Sequence, residues 1–459
     1  MSRLLLVLLI FSVNLSWAQS PARDSEVVQY RIEVNLDDVR HTLRGRVAVR
    51  YVNASNDPLS ELHIHLYPNA YRHRNTAYAR QTLSRGETEF HFSEPWERGG
   101  IDSLDFTVNG AASAWRLDAE HPDIAYVTLP EPLLPGERIE VATPFRVRIP
   151  RSFSRLGRVG QSYQITQWFP KLARYAEGRW HSMPYLDQGE FYSDFGSYDV
   201  TIALPDNYLV AATGRLQTAS ERQWLDALAS DDSRPLPAFP PSSGRMKVLR
   251  YKASLVHDFA WFADKRFAVR QDTAEIAGRT ITCQAFFTDM DAELWENAVQ
   301  YLKDALRFYA RHVGAYPYDH MTAVQSPLSK GGGMEYPMIT LIGKERSPYT
   351  LDQVISHEVG HNWFYGILAS NERDHHWMDE GINTYYEYRY FAEKYGRFGS
   401  SFLPRLSRRP VRLTDAQRFL QYLHQRNRLQ SPTHSSGDLT PVNYVLNAYE
   451  KPAFAFRLL

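Results

Sequence analysis

Residues 350–366 read TLDQVISHEVGHNWFYG, and this pattern predicts a helix. Thr350 and Gln353 have the spacing of a capping box, so we expect the helix to begin at Thr350. Apolar residues then recur at helical intervals, at Val354, Ile355 and Val359. Because residues four apart project from the same face of a helix, His357 and His361 should present their imidazoles side by side.

The paired histidines are spaced to hold a metal ion. Catalytic zinc is commonly held by three protein ligands, drawn from imidazole nitrogens and carboxylate oxygens, with one position left open for water. Glu380 stands at the start of a second predicted helix, which runs to Gly396, and would supply the third ligand. Glu358 is directed at another part of the site. The sequence therefore predicts one zinc ion per chain, held by His357, His361 and Glu380 in a set typical of hydrolytic enzymes.

Several polar residues near the motif could support these ligands. Metal-bound imidazoles usually donate their second N–H to a carboxylate or a carbonyl oxygen. Asp374 and Asp379 could each accept such a bond, but either could equally be a solvated loop acid. His375 and His376 are adjacent and cannot both face the metal from one regular element. Each is expected in a supporting or surface position.

The first part of the chain has a different period. Apolar and polar residues alternate from Tyr30 to Leu36, and this alternation returns at intervals until about residue 265. Period two is typical of half-buried strands, so we predict an antiparallel β domain. Residues 218–245 interrupt the pattern with polar, Pro- and Ser-rich sequence, which favours a surface loop.

Near Thr288 the period becomes helical. Apolar residues share one helix face at Leu294, Ala298, Leu302, Leu306 and Tyr309, and the helix should stop at Gly314. We therefore predict an α+β, multidomain fold, with a β-sheet domain over residues 19–267 and a mainly helical catalytic domain over residues 268–459.

Composition excludes some classes of protein. The chain has 459 residues with 43% hydrophobic content, which is enough for a sizeable core and excludes a disordered chain. Lys plus Arg and Asp plus Glu both number 52, so no net charge is available to attract nucleic acid. Cys283 is the only cysteine, which excludes an internal disulfide, and its strand-like surroundings predict a buried apolar role.

The N-terminus has the pattern of a secretory signal peptide. Arg3 precedes an apolar run from Leu4 to Val13, which is interrupted at Asn14 and is too short to span a bilayer, and the segment ends in Ser16-Trp17-Ala18, with small residues at the first and third of these positions. We predict cleavage near Ala18, export to the periplasm or the extracellular space, and a mature chain without a membrane span.

The metal motif belongs to a longer sequence pattern, and a second pattern precedes it in the chain. The first is HEVGH at residues 357–361 followed by WMDEG at residues 377–381, and the second is GGMEYP at residues 332–337. Together they resemble the gluzincin signature and the Gly-x-Met-Glu-Asn motif of peptidase family M1, which includes aminopeptidase N and leukotriene A4 hydrolase. Tyr336 stands where the family usually has Asn. The resemblance implies an N-terminal β saddle domain followed by a thermolysin-like catalytic domain.

The resemblance implies a role for the second motif in substrate binding. Glu335 would bind the free α-ammonium of a peptide, and Gly332, Gly333 and Met334 would line the same site. An anion fixed near the metal selects a cationic chain end. The alternative is an ordinary strand glutamate after a run of glycines.

A third motif and a glutamine complete the implied site. Tyr449 begins YEKPA at residues 449–453, which is similar to the family's Tyr-Glu-Lys-Gly-Ala motif, whose tyrosine hydrogen-bonds the developing oxyanion. Tyr444 is a nearby competitor for this role. In relatives a glutamine of the β domain lines the amine site; Gln167 is the first candidate here, with two alternatives, Gln164 and Gln161.

The resemblance therefore implies a zinc aminopeptidase that acts on peptides with a free N-terminus, with Glu358 as general base. Two alternatives stay open: a zinc endopeptidase, in which Glu335 is incidental, and an inactive peptide-binding homologue. Family members continue beyond the tyrosine motif, whereas this chain stops at Leu459, so we expect a C-terminally truncated product. Side-chain preference and oligomeric state cannot be predicted from the sequence.

Overall fold

The computed structural model describes residues 27–230, 235–327, 332–396, 421–426 and 428–459. The predicted signal peptide, residues 1–18, lies outside these ranges. Within the described ranges, the helices are all too short or too polar to cross a membrane.

The described elements are numbered in chain order. The strands are β1 (Val28–Asp37), β2 (Thr42–Val52), β3 (Leu59–His65), β4 (Gly100–Asp102), β5 (Thr107–Val108), β6 (Ala111–Ala112), β7 (Trp115–Leu117), β8 (Ile124–Leu133), β9 (Arg138–Arg148), β10 (Gly157–Val159), β11 (Ser162–Ile165), β12 (Lys171–Leu172), β13 (Arg174–Ala176), β14 (Arg179–His181), β15 (Gly196–Pro205), β16 (Leu209–Ala212), β17 (Arg215–Leu216), β18 (Met246–Val256), β19 (Trp261–Asp264), β20 (Ala268–Ile276), β21 (Arg279–Phe287), β22 (His320–Gln325), β23 (Gly333–Met334) and β24 (Ile339–Ile342). The α-helices are α1 (Ala77–Ser84), α2 (Ala219–Ser230), α3 (Ala292–Trp295), α4 (Ala298–His312), α5 (Pro348–Phe364), α6 (Ile382–Tyr395), α7 (Pro441–Tyr444) and α8 (Lys451–Leu458). Two π-helical turns occupy Trp377–Gly381 and Val445–Glu450.

The largest sheet of the β-rich part confirms the predicted period-two strands. Buried and exposed residues alternate along β1, and the strand order is β17-β18-β15-β1-β2-β9-β5-β6, with β4 also paired to β9. One pairing differs from the prediction, because β1 lies parallel to β15, with Val28 opposite Gly196. The expectation of a wholly antiparallel domain is therefore wrong at this pair, since side-chain alternation is the same in parallel and antiparallel strands.

Residues 218–245 are not simply a surface loop, as the sequence predicted, because they contain α2. Leu225 is buried and joins a small apolar cluster with the partly buried Trp224 and Leu228. These residues are three and four apart, so the helix covers the sheet that contains β20.

The second part of the chain is mainly helical, as predicted, but it also contains a sheet. The helix predicted after Thr288 is confirmed from Ala298 to Tyr309, which lie in α4, and α4 ends at His312, just before Gly314. Leu294, which was predicted in the same helix, lies in the separate short helix α3. A five-stranded sheet, in the order β20-β21-β22-β24-β23, packs beside it. The sequence missed β22 because all its residues are buried and no alternation marks it. The predicted domain boundary between residues 267 and 268 falls between β19 and β20.

The helix that carries the metal motif begins earlier than predicted. Ser347 is its N-cap: the Ser347 side chain accepts a hydrogen bond from the backbone N–H of Thr350, and the Thr350 hydroxyl accepts one from the backbone N–H of Ser347. Pro348 occupies the first turn, where its missing N–H costs nothing. The capping box is therefore Ser347 with Thr350, and the predicted pair Thr350 and Gln353 is wrong.

Candidate metal centre and substrate cavity

Helix α5 is held closely against its neighbours where it carries the two histidines. A Cβ atom at Gly360 would lie 2.0 Å from the side-chain oxygen of Asn383 on α6 and 2.4 Å from the hydroxyl of Tyr309 on α4. Asn383 also donates a hydrogen bond to the backbone oxygen of His357, at 2.8 Å. The glycine in the motif therefore permits the close packing that fixes the histidines beside α6.

The three predicted ligands converge on one point. The Nε2 atoms of His357 and His361 are 3.1 Å apart, and Glu380 Oε2 lies 3.2 Å from the first and 3.4 Å from the second. Tetrahedral zinc with bonds of about 2.0–2.1 Å requires ligand atoms about 3.3 Å apart. The donor set and its spacing therefore fit one zinc ion, as predicted.

Each ligand histidine is oriented by a buried carboxylate. His357 Nδ1 donates to Glu387 Oε2 at 2.9 Å, and His361 Nδ1 donates to Asp379 Oδ1 at 2.5 Å. These bonds direct both Nε2 atoms at the metal position. Of the two acids left open by the sequence, Asp379 makes this contact, whereas Asp374 pairs with Asn371.

Glu387 was not predicted from the sequence. It lies two helical turns after Glu380, so the spacing was a usable signal. Burial lowers the pKa of His357, but hydrogen bonds to Glu380 and Glu387 outweigh burial and raise the pKa to about 10. A cation that binds here must displace a proton, as metal sites generally require.

A cavity of about 590 Å³ opens in front of these ligands. It is lined by nine of the ten residues that the sequence proposed for the site: Gly332, Gly333, Met334, Glu335, His357, Glu358, His361, Glu380 and Tyr449. Gln167 is the tenth and does not line it. The structure thus brings together motifs that are far apart in the sequence, while the roles of these residues remain predictions.

Two buried carboxylates face the metal position from the cavity wall. Oxygens of Glu335 and Glu358 and a ring nitrogen of His361 all lie within 4.8 Å of one another. Burial raises the pKa of Glu358 to about 7. Burial also raises the pKa of Glu335 well above its ordinary value, and the nearby charge of Glu190 raises it further. The cavity is therefore an environment that favours protons or cations.

Tyr449 and Tyr444 both reach the cavity from the second π-helical turn and the helix before it. The Tyr449 hydroxyl donates to Glu380 Oε1 at 2.5 Å, which places it beside the metal ligand. Burial, together with the charge of Glu380, raises the pKa of Tyr449 well above its ordinary value. Tyr449 is therefore a neutral hydrogen-bond donor at the metal position.

The structure does not place Gln167 in the amine site. Its side chain is buried and bonds to Asp258 and Tyr336. Gln164, one of the alternatives, lines the cavity instead, while Gln161 bonds to Asp38. The neighbouring glutamines were indistinguishable in the sequence, because their directions depend on where the strand ends and turns.

Two further cavity residues were also missed. Arg155 donates a hydrogen bond to Glu190 Oε1 at 2.5 Å and another to the sulfur of Met334 at 3.2 Å. The second oxygen of Glu190 is buried, with no hydrogen-bond partner in the part of the chain that the structure describes. Both residues come from the β-rich part of the chain, where no motif marked them.

Known proteins resemble this chain in sequence over limited segments. A model of the peptidase family M1 domain matches residues 297–457. Leucine aminopeptidase 2 of Aspergillus niger is 34% identical over 89 residues, which cover 18% of this chain and 14% of that protein. Leucine aminopeptidase 2 of Chaetomium globosum is 29% identical over 172 residues, which cover 34% and 26% of the two chains.

Solved structures resemble the chain over nearly its whole length. The M1 zinc metallopeptidase from Deinococcus radiodurans aligns with a TM-score of 0.57 at 16% identity, and covers 95% of this chain and 83% of that one. A two-domain M1 zinc metallopeptidase variant bound to L-arginine aligns with a TM-score of 0.59 at 16% identity, over 94% and 82%. These alignments confirm the predicted α+β, multidomain fold. The family match spans both ligand helices and extends past Tyr449, so this part of the chain is similar to the peptidase family M1 domain.

Proposed function

We propose that this chain is a zinc-dependent aminopeptidase that removes N-terminal residues from peptides. The position of Glu335 supports the proposal most directly. Its buried carboxylate lies within 4.8 Å of Glu358 and His361, but Glu335 is not one of the three predicted zinc ligands. The names of the leucine aminopeptidase 2 relatives support the same activity. A structural neighbour bound to a Tyr-Ser-Ala substrate supports a peptide as ligand.

The short distance between the anchor and the metal position sets the register of cleavage. In a peptide, the α-nitrogen and the carbonyl carbon of the first residue are about 2.5 Å apart, and each further residue adds about 3.8 Å. A peptide whose α-ammonium bonds to Glu335 therefore brings only its first carbonyl to the region between Glu358 and His361. This geometry favours removal of one residue at a time.

The residues around the site divide the chemistry between them. When zinc is bound by His357, His361 and Glu380, it polarises the scissile carbonyl and lowers the pKa of a water molecule. Glu358 accepts the proton of the attacking water and delivers it to the leaving amine. The Tyr449 hydroxyl, which burial keeps protonated, donates a hydrogen bond to the developing oxyanion.

The anchor can be tested with paired substrates. We expect an aminoacyl chromogenic substrate to be cleaved and its N-acetylated counterpart to be cleaved at least 100-fold more slowly, since acetylation removes the charge that Glu335 binds. Glu335→Gln should reduce this preference, with Glu275→Gln on the exposed part of β20 as a matched control. Equal cleavage of both substrates by the wild-type protein would instead support the endopeptidase.

Zinc content and turnover separate the enzyme from an inactive binder. We expect about one zinc per chain and turnover that a chelator abolishes and added zinc restores. Zinc binding without turnover, over a panel of aminoacyl substrates, would support the inactive peptide-binding homologue.

We also propose that the protein is exported, as its first 18 residues suggest. The test is N-terminal sequencing of the mature protein from the compartments of the producing cell. A mature N-terminus just after Ala18 supports the proposal, whereas an intact Met1 contradicts it.

A further inference from the structure

A chain of buried hydrogen bonds connects the β-rich part of the protein to the Gly-Met-Glu-Tyr motif. The Tyr336 hydroxyl donates to Gln167 Oε1 at 2.8 Å, and Gln167 Nε2 donates to Asp258 Oδ2 at 3.0 Å. Lys171 Nζ donates to the same Asp258 oxygen at 2.9 Å. All four residues are at most 3% exposed. The series of hydrogen bonds therefore runs through the interior, from the buried ion pair of Lys171 and Asp258 to Tyr336, the residue beside Glu335.

The donors and acceptors in this series of hydrogen bonds can be assigned in only one way. The Asp258 carboxylate can only accept, so the Gln167 amide must turn its NH₂ group to Asp258 and its oxygen to Tyr336. Gln167 holds this position with φ at 46°, in the left-handed region that non-glycine residues rarely adopt. From this backbone conformation its side chain makes both hydrogen bonds of the network.

Tyr336 is well placed to fix the backbone of Glu335. Glu335 lines the cavity, while the hydroxyl of the next residue, Tyr336, bonds to Gln167 of the β-rich part. The segment before Glu335 is held on one side by the pairing of β23 with β24, and the Tyr336 side chain adds a contact with the β-rich part directly after Glu335. Tyr336, which stands where the family usually has Asn, is therefore a residue through which the β-rich part holds the motif directly beside Glu335.

We propose that Gln167, Asp258 and Lys171 form a positioning network that holds Tyr336 and, through it, sets the carboxylate of Glu335 for the substrate ammonium. The inference rests on the proposed aminopeptidase function. Gln167 thus serves the amine site that the sequence analysis assigned to it, but from behind the motif instead of from the cavity. The network is also a contact through which the β-rich part of the chain controls a residue of the peptidase domain.

The test removes one hydroxyl and measures the effect on free-amine substrates. We expect Tyr336→Phe to raise KM for an aminoacyl chromogenic substrate about tenfold, as the loss of one buried hydrogen bond predicts, with zinc content unchanged and kcat changed less than twofold. Gln167→Met should have the same effect by removing the acceptor. Tyr318→Phe is the matched control, because its hydroxyl also bonds across to the β-rich part, at Leu255, but away from the motif.

A double-mutant cycle distinguishes positioning from general destabilisation. If the network acts through Glu335, Tyr336→Phe should raise KM in the wild-type protein and have no further effect in Glu335→Gln, because the group that it positions is gone. Effects that add in the double variant, or an equal rise in KM for Tyr318→Phe, would overturn the inference while leaving the aminopeptidase function intact. Absence of chelator-sensitive turnover in the wild-type protein would overturn both.

Discussion

Replacement of Gly333 by alanine should slow the proposed aminopeptidase by displacing Glu358, its proposed general base. A Cβ atom at Gly333 would lie 2.4 Å from Oε1 of Glu358 and 2.5 Å from its Cδ and Cγ atoms, where ordinary contact begins at 3.4 Å. The Glu358 carboxylate must therefore move by about 1 Å, and a misplacement of this size costs about 100-fold in rate. The movement is inexpensive for folding, because it involves the end of a side chain and no backbone. We expect kcat to fall about 100-fold in a protein that still folds.

The assay for Gly333→Ala measures three quantities on one preparation: kcat for an aminoacyl chromogenic substrate, zinc per chain, and the melting temperature. Zinc content should not change, because no ligand is touched. Gly244→Ala is the matched control, since a Cβ atom at Gly244 would have no neighbour within 4 Å. A Gly333→Ala variant with kcat within threefold of the wild type would contradict the displacement of Glu358, and loss of zinc would show that the change reaches beyond Glu358.

Four further outcomes are expected. Glu358→Gln should lower kcat by about 10²–10⁴-fold with zinc retained, as measured by turnover and metal analysis, because it removes the proton acceptor. Glu387→Gln should weaken zinc binding about 10–100-fold in chelator competition, because His357 loses the carboxylate that orients it. Glu393→Gln, at an exposed position of the same helix, should leave zinc binding unchanged. Glu335→Gln should raise KM for free-amine substrates more than it lowers kcat, and an unchanged KM in steady-state kinetics would contradict its role as anchor. Burial lowers the pKa of His257 to about 4, so between pH 6.5 and pH 4 the unfolded chain binds a proton that the folded chain does not. This one group should lower the free energy of unfolding by about 2 kcal/mol from pH 7 to pH 5, and thermal melts of His257→Gln should show a correspondingly smaller pH dependence than those of the wild type.

The metal centre could be predicted because it depends on local geometry. Helical periodicity alone brings His357 and His361 to one face, and it would also have identified Glu387, two turns after Glu380. Asp379 could not be chosen over Asp374, since the π-helical turn at Trp377–Gly381 determines which acid faces α5. A local pattern predicts which side chains share a helix face, but not how an irregular turn directs them.

The cavity wall could not be predicted, because it depends on contacts between distant segments. The direction of Gln167 follows from a left-handed backbone at its own position and from Asp258, which lies 91 residues later. Arg155 and Glu190 reach the cavity only because the β-rich part packs against the motif strand. The parallel pairing of β1 and β15 could not be predicted for a similar reason. The alternation of apolar and polar residues indicates which side of a strand is buried, but not which strand lies beside it.

The way in which the cavity is assembled also bears on when the protein becomes a peptidase. The metal ligands come from one short stretch of chain, and α5 and α6 can bring them together early in folding. The proposed amine anchor, Glu335, depends on Gln167, and the proposed oxyanion donor is Tyr449; Gln167 and Tyr449 are separated by most of the protein. We expect refolding chains to acquire zinc before they acquire turnover, so that newly made molecules hold metal without yet cutting the unfolded peptides around them.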